Sequence, residues 1–180
     1  PHPQQGGTMN NKLCFNMFNM FKDRGYSVMR FNFRGVGRSQ GVYDQGIGEL
    51  SDAASALDWM QTYNANARAT WVAGYSFGSW IGMQLLMRRP EIDGFISVAA
   101  PASDYDFTFL APCPSSGIMI HGSHDTNIPL ASVNKLADKL NAQKGIEVDM
   151  CVIEGADHYF AKQQDDVIKH TAAYLDKRSA

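Results

Sequence analysis

The sequence predicts an α/β fold, a three-layer α/β/α sandwich around a mostly parallel sheet. Three observations lead there. Short apolar runs of strand length alternate along the chain with stretches of helical period. The stretch from Phe77 to Met87 is apolar on most faces, as a helix buried beside a sheet must be. The polar residues able to do chemistry fall just after the strand-like runs, where open parallel sheets place their ligand sites.

The elements follow in order. Residues 1–7, Pro-His-Pro-Gln-Gln-Gly-Gly, read as a loop. From Asn10 to Lys22, Leu13, Phe15, Met17, Phe18 and Phe21 recur at helical spacing, with Gly25 as the stop. Tyr26 to Phe33 reads as a strand and Arg34 to Gly41 as a glycine-rich loop. Ile47, Leu50, Ala54, Leu57 and Met60 mark a second helix to about Tyr63. Thr70 to Gly74 is a strand, and Phe77 to Met87 a helix closed by Pro90. Gly94 to Ala99 is a short strand, followed by an irregular stretch from Pro101 to Ser116. Gly117 to His121 is a strand. Val133, Leu136, Ala137 and Leu140 mark a helix ending near Gly145. Ile146 to Ile153 is the last strand, and Val167, Ile168, Ala172 and Leu175 mark the closing helix. No repeat or linker interrupts this order, so residues 1–180 are read as one domain.

Composition narrows the function classes. The formal net charge is −2, which gives no basic footprint for nucleic acid or an anionic membrane. No apolar run approaches the ~20 residues of a spanning helix, and no signal-peptide pattern is present. Cys14, Cys113 and Cys151 fit neither a zinc spacing nor a Cys-x-x-Cys pair. They read as free thiols in a reducing compartment, which favours the cytoplasm.

The chemistry centres on Gly74-Tyr75-Ser76-Phe77-Gly78, a Gly-x-Ser-x-Gly between a strand and a helix. A serine on such a turn is strained and projects its Oγ above the sheet edge. The flanking glycines are expected to let backbone pass where a Cβ would collide. The amide of Phe77 sits at a helix N-terminus, placed to donate to a developing oxyanion. A serine needs a base, and neutral imidazole combines the right pKa with the right geometry. A carboxylate then fixes the imidazole tautomer. Asp125 and His158 both follow strands, and the order Ser76, Asp125, His158 differs from the chymotrypsin and subtilisin orders. The competitors are Asp157, which reads as a loop-fixing carboxylate, and His121, His124 and His170, which read as packed or solvated. The loop Arg34-Gly35-Val36-Gly37-Arg38-Ser39-Gln40-Gly41 misses the dinucleotide pattern, because Gln40 stands where the third glycine is needed. It reads as a packed structural loop.

Together these motifs resemble the α/β-hydrolase superfamily: the serine turn, Arg34 to Ser39, Gly122-Ser123-His124-Asp125 through Pro129, and Gly155-Ala156-Asp157-His158. Pro1-His2-Pro3 through Lys12 and Arg30 to Gly35 are similar to small, lidless bacterial hydrolases. The resemblance implies a Ser76–Asp125–His158 triad. It also implies an oxyanion hole from the Phe77 amide and an amide of the 1–7 loop, with His2 as the candidate because Pro3 has no N–H. No metal or organic cofactor is implied. Many relatives carry Asp where Asn32 stands. In the family a central strand precedes the residue that is Pro1 here, so the resemblance implies an incomplete N-terminal part, with the first strands missing. Such a loss exposes strand edges and removes roughly 1.5–3 kcal/mol per buried large side chain. That is large against a domain stability of ~5–15 kcal/mol. This chain is therefore expected to be unstable or inactive beside a longer, active form.

Between the strands at Gly94 and Gly117 lie about 15 irregular residues, far short of a lid domain. The expected site is open and suits a small-molecule acyl substrate, an ester, thioester or short peptide. Phe107, Phe109, Leu110 and Tyr159 are the candidate lining of an apolar acyl pocket, with Tyr75, Phe107 and Tyr159 as the candidate substrate contacts; the aromatics fit a core equally well. The expected activity is that of a serine hydrolase of the carboxylesterase type. A peptidase, a thioesterase or a noncatalytic binding protein on the same fold stands as the alternative, and homo-oligomerisation stays open.

Overall fold

A computed structural model describes residues 1–179. The chain forms two compact units, one from Pro1 to Ala69 and one from Thr70 onward.

The first unit holds a 3-10 turn at Pro3–Gln5 and two helices, α1 (Lys12–Asp23) and α2 (Ile47–Tyr63). Asn11 starts α1, its side-chain oxygen accepting from the amides of Leu13 and Cys14 at 3.0 and 3.3 Å. The helix buries Leu13, Met17, Met20 and Phe21, the apolar stripe that the sequence period marks. Helix α2 lacks a capping side chain at Gly46. The wholly buried Glu49 compensates, its carboxylate accepting the Asp44 amide at 2.8 Å just ahead of the helix.

The segment from Tyr26 to Phe33 corrects the sequence reading. It forms no ladder with any described residue, and the sheet contains none of it. A strand is a pairing state, and an alternating pattern supplies the side chains but not the partner. Side chains hold the segment instead. Arg30 donates to Met9 O at 2.8 Å and its guanidinium lies over the rings of Phe15 and Phe18. Asn32 accepts the Met9 amide at 2.8 Å. The glycine-rich loop is packed, as expected. Its Gly35 amide is shared between Ser39 O and Gln40 O, and Arg34 forks onto Asp52 at 2.8–3.2 Å.

The second unit is α/β: β1 (Trp71–Tyr75), α3 (Phe77–Arg88), β2 (Gly94–Val98), β3 (Gly117–Gly122), α4 (Leu130–Asn141), β4 (Val148–Ile153) and α5 (Gln164–Ser179). The strands form one parallel sheet in the order β1-β2-β3-β4, with Tyr75 opposite Val98, Val98 opposite Ile120 and Ile120 opposite Cys151. Helix α3 packs on β1 and β2, and α4 and α5 pack on β3 and β4. Every residue of β2 and β3 is buried. Successive side chains point to opposite faces, so both faces of the sheet's centre are covered, as parallel strands require. Because the strands are parallel, the residues after them gather along one edge. The connection from β2 to β3 carries no helix or strand. No helix among the described residues is long and apolar enough to cross a membrane. The three thiols are free, and burial pushes each of them up, away from the reactive thiolate.

Candidate active site

Three of the four strand ends supply the site. After β1 the chain turns abruptly into α3 through Ser76, whose φ is +55° and ψ −120°. A non-glycine residue held there stores about 1–3 kcal/mol of strain. The turn is pinned on both sides. The Ser76 amide donates to Val98 O at 2.8 Å, and Ser76 O accepts from the Ser79 amide at 2.9 Å in the first turn of α3. Ser76 stands at the N-cap but its hydroxyl makes no capping bond. That hydroxyl lies 3.0 Å from Nε2 of His158.

Gly74 explains how the turn closes. A Cβ on it would lie 2.3 Å from Gly78 O and 2.6 Å from the Ser79 Cα, both backbone. Gly78 is different: a Cβ there meets nothing within 4 Å among the described residues. The expectation that both glycines make room therefore holds for the first alone. Gly74→Ala is expected to displace the turn and abolish whatever Ser76 does. Gly78→Ala should leave it intact and gain up to about 1 kcal/mol from helix propensity. Thermal unfolding and Ser76 reactivity of the two variants check the asymmetry, and equal damage from both contradicts it.

Asp125 follows β3 on a tight turn that wraps its carboxylate. Oδ1 accepts the amides of Asn127 and Ile128 at 2.9 and 2.8 Å, and Oδ2 lies 2.7 Å from Nδ1 of His158. Its side chain is fully buried. Burial alone would raise its pKa, but the His158 N–H, the Ile128 amide and the adjacent imidazoles outweigh it and hold the carboxyl below its ordinary value. His158 sits on the loop after β4. Gly122 lets that loop come close, since a Cβ on it would lie 2.2 Å from Ala156 O. The His124 amide donates to Ala156 O at 2.9 Å, and the Gly155 amide to Ser123 Oγ at 2.8 Å. So the turn bearing the acid and the loop bearing the imidazole are stitched together.

The residues picked from sequence separate clearly. Ser76, Asp125 and His158 are brought into one hydrogen-bonded chain. Phe77 is buried at the first position of α3, in the turn whose amides point out of the helix. His2 belongs to the first unit, where its Nδ1 accepts the Gln4 amide at 3.1 Å and its ring lies 5.2 Å from that of Tyr43. Of the candidate substrate contacts, Tyr159 is exposed and its ring meets that of His158 edge-on. Tyr75 and Phe107 are buried. The Tyr75 hydroxyl donates to His158 O at 2.9 Å, so it anchors the imidazole's backbone. Phe107 stacks on Phe109. Asp157 fixes its own loop, accepting the amides of Tyr159 and Ala161 at 3.1 and 3.2 Å. His124 and His170 are exposed. Among the described residues no group of three or more His, Cys, Asp or Glu side chains is arranged to hold a metal.

His121 is wholly buried, and that burial pushes its pKa down against the pull of Ile128 O and Asp125. The unfolded chain's histidine titrates near 6.5. Below that pH the unfolded state binds a proton that the folded state refuses, so stability falls as pH drops toward the folded value. His2, depressed chiefly by burial, adds the same sign. Asp125 contributes with the same sign at lower pH: its support is present above the unfolded carboxyl value of about 3.9 and is lost as pH falls through its lower folded value. The urea midpoint is therefore expected to drop between about pH 7.5 and about pH 5, and His121→Gln to flatten part of that slope. A midpoint independent of pH across this range contradicts the depression of His121.

A strained serine, an imidazole and a buried carboxylate at the carboxyl edge of a parallel sheet define a class of hydrolases, and comparisons with known proteins agree. The model of the X-Pro dipeptidyl-peptidase (S15) family matches residues 2–114, and that of the prolyl oligopeptidase family matches residues 99–179. A crystal structure of an α/β hydrolase of unknown function from Agrobacterium tumefaciens is 55% identical, with a TM-score of 0.96 over 99% of this chain and 82% of that one. A lidless α/β serine hydrolase from Xanthomonas campestris is 26% identical, with a TM-score of 0.89 over 98% of this chain and 78% of that one. An uncharacterised protein of Rickettsia prowazekii is 46% identical over 179 residues, 97% of this chain and 75% of that protein. The chain belongs to the α/β-hydrolase superfamily and, within it, to the family described as X-Pro dipeptidyl-peptidase (S15). It is a hydrolase of the α/β fold.

Proposed function

We propose that the protein is a serine hydrolase that cleaves small or short-chain acyl esters. The observation that carries the reading is the unbroken chain Ser76 Oγ–His158 Nε2 at 3.0 Å and His158 Nδ1–Asp125 Oδ2 at 2.7 Å, with the serine at a strained turn that leaves its hydroxyl uncommitted to capping. Oγ attacks the acyl carbon while Nε2 takes its proton. Asp125 keeps the other ring proton on Nδ1 and stabilises the imidazolium. The amide of Phe77, at the N-terminus of α3, donates to the oxyanion as it forms. His158 then protonates the departing alcohol, leaving an acyl group on Ser76. Water attacks that ester with His158 again as base, and the acid leaves as Ser76 recovers its proton. Tyr159, exposed beside His158, is the candidate contact for the acyl or leaving group.

The irregular connection from β2 to β3 supports an open site and hence small substrates. The free thiols support a cytoplasmic setting. The family matches favour a second reading, a peptidase using the same residues. A panel of p-nitrophenyl esters, thioesters and aminoacyl or X-Pro amides decides between them, run on this chain and on a form extended at its N-terminus. The proposal expects short-chain esters to give the highest kcat/KM. Preference for X-Pro amides transfers the assignment to the peptidase reading, and no turnover of any member in either form supports a noncatalytic protein.

A further inference from the structure

We propose that His121 is a positioning residue that holds Asp125 in line with His158, a role that rests on the triad reading above. The side chain of His121 is fully buried, yet its two nitrogens are unequal. Nε2 lies 2.9 Å from Ile128 O and 3.4 Å from Asp125 Oδ2, whereas Nδ1 is buried with no hydrogen-bond partner. A carbonyl cannot donate, so the proton must be on Nε2. A protonated ring would bury a second N–H without an acceptor, so the neutral ring with its proton on Nε2 is the form this pocket holds. The depression of His121 by burial agrees with that form.

That single proton clamps the turn that carries the acid. Both backbone groups of Ile128 are held: its N–H donates to Asp125 Oδ1 at 2.8 Å and its C=O accepts from His121. Asp125 is thereby held with Oδ1 committed to the Asn127 and Ile128 amides and Oδ2 aimed at His158. The same oxygen also faces the His121 N–H. Without the clamp, the turn at residues 125–128 loses the bond that fixes its far end, and the carboxylate can rotate away from Nδ1. His121 touches none of the reacting atoms, so its effect passes through Asp125.

The test compares His121→Gln with His121→Asn. Both are neutral amides. The side-chain nitrogen of Gln reaches the place of Nε2, whereas that of Asn stops at the place of Nδ1. His121→Leu serves as a third variant that removes all polarity. Activity is read per site titrated with a fluorophosphonate, which removes any unfolded fraction from the comparison. The low-field proton resonance of the His158–Asp125 hydrogen bond is read by NMR without substrate. We expect His121→Asn to lower kcat by roughly tenfold to a hundredfold with KM unchanged, as misplacement by a fraction of an ångström does. We expect the low-field resonance to be weakened or lost in the same variant. His121→Gln should restore both. If His121→Leu does not fold, the Gln and Asn pair still decides. Wild-type kcat and an intact resonance in His121→Asn overturn the proposal, and so does equal loss in both amides. A wild-type protein that fails to label at Ser76 removes the triad reading and this role together. Labelling with no difference among variants removes this role alone.

Discussion

Ser76→Ala is expected to lower ester turnover by about 10⁴–10⁶-fold while leaving thermal unfolding near that of the parent. The size follows from the geometry. The hydroxyl is the atom 3.0 Å from Nε2. Removing it leaves the proposed Phe77 oxyanion donor, which alone gives modest acceleration. The fold should persist because Ser76 is held through its backbone, by Val98 O and the Ser79 amide, rather than through its Oγ. Ala at φ +55° carries strain comparable to that of Ser, so the turn itself is not relieved. Turnover within tenfold of wild type would show that the hydrolysis happens elsewhere.

Asp125→Asn should cost about 10⁴-fold in kcat at neutral pH with little loss of stability. Here the substitution separates two jobs of one side chain. The amide oxygen can still accept from Asn127 and Ile128, so the turn after β3 survives. The amide nitrogen now faces Nδ1 of His158, which must become an acceptor. The ring proton is driven to Nε2, where it blocks the uptake of the serine proton. A stability change without an activity change would mean that Asp125 serves the turn and not the chemistry. Kinetics and urea unfolding on the same sample separate the two.

Much of the second unit was legible in the sequence because its signals are local. Strands of continuous apolar character, the buried helix after Ser76 and the chemistry-bearing residues after each strand can all be read within about ten residues. Ser76, Asp125 and His158 stood out because each follows such a strand, and the fold brings those ends together. What was not legible shares a different cause. Tyr26 to Phe33 has strand composition, but a ladder needs a neighbour, and its Arg30 and Asn32 side chains tie it instead to the Met9 backbone and the rings of Phe15 and Phe18. The hydroxyl bond of Tyr75 was not legible either. Its role depends on His158 O, 83 positions away, which no window around Tyr75 contains. His121 reads as packed and is buried, but its bond to Ile128 O and its unpartnered Nδ1 exist only once the turn at residues 125–128 is closed. Gly78 matched a motif letter while its site has room to spare, so the pattern overstated the steric need.

The decisive measurement is peptide mapping after exposure to a fluorophosphonate, which is attacked by activated serine hydroxyls and spares ordinary ones. One adduct per chain, carried on the peptide containing Ser76 and missing when His158 is replaced by Ala, is the predicted result. No modification of either this chain or the N-terminally extended form used in the turnover panel, or an adduct on another serine that persists without His158, would contradict the proposal that the imidazole makes this hydroxyl a nucleophile.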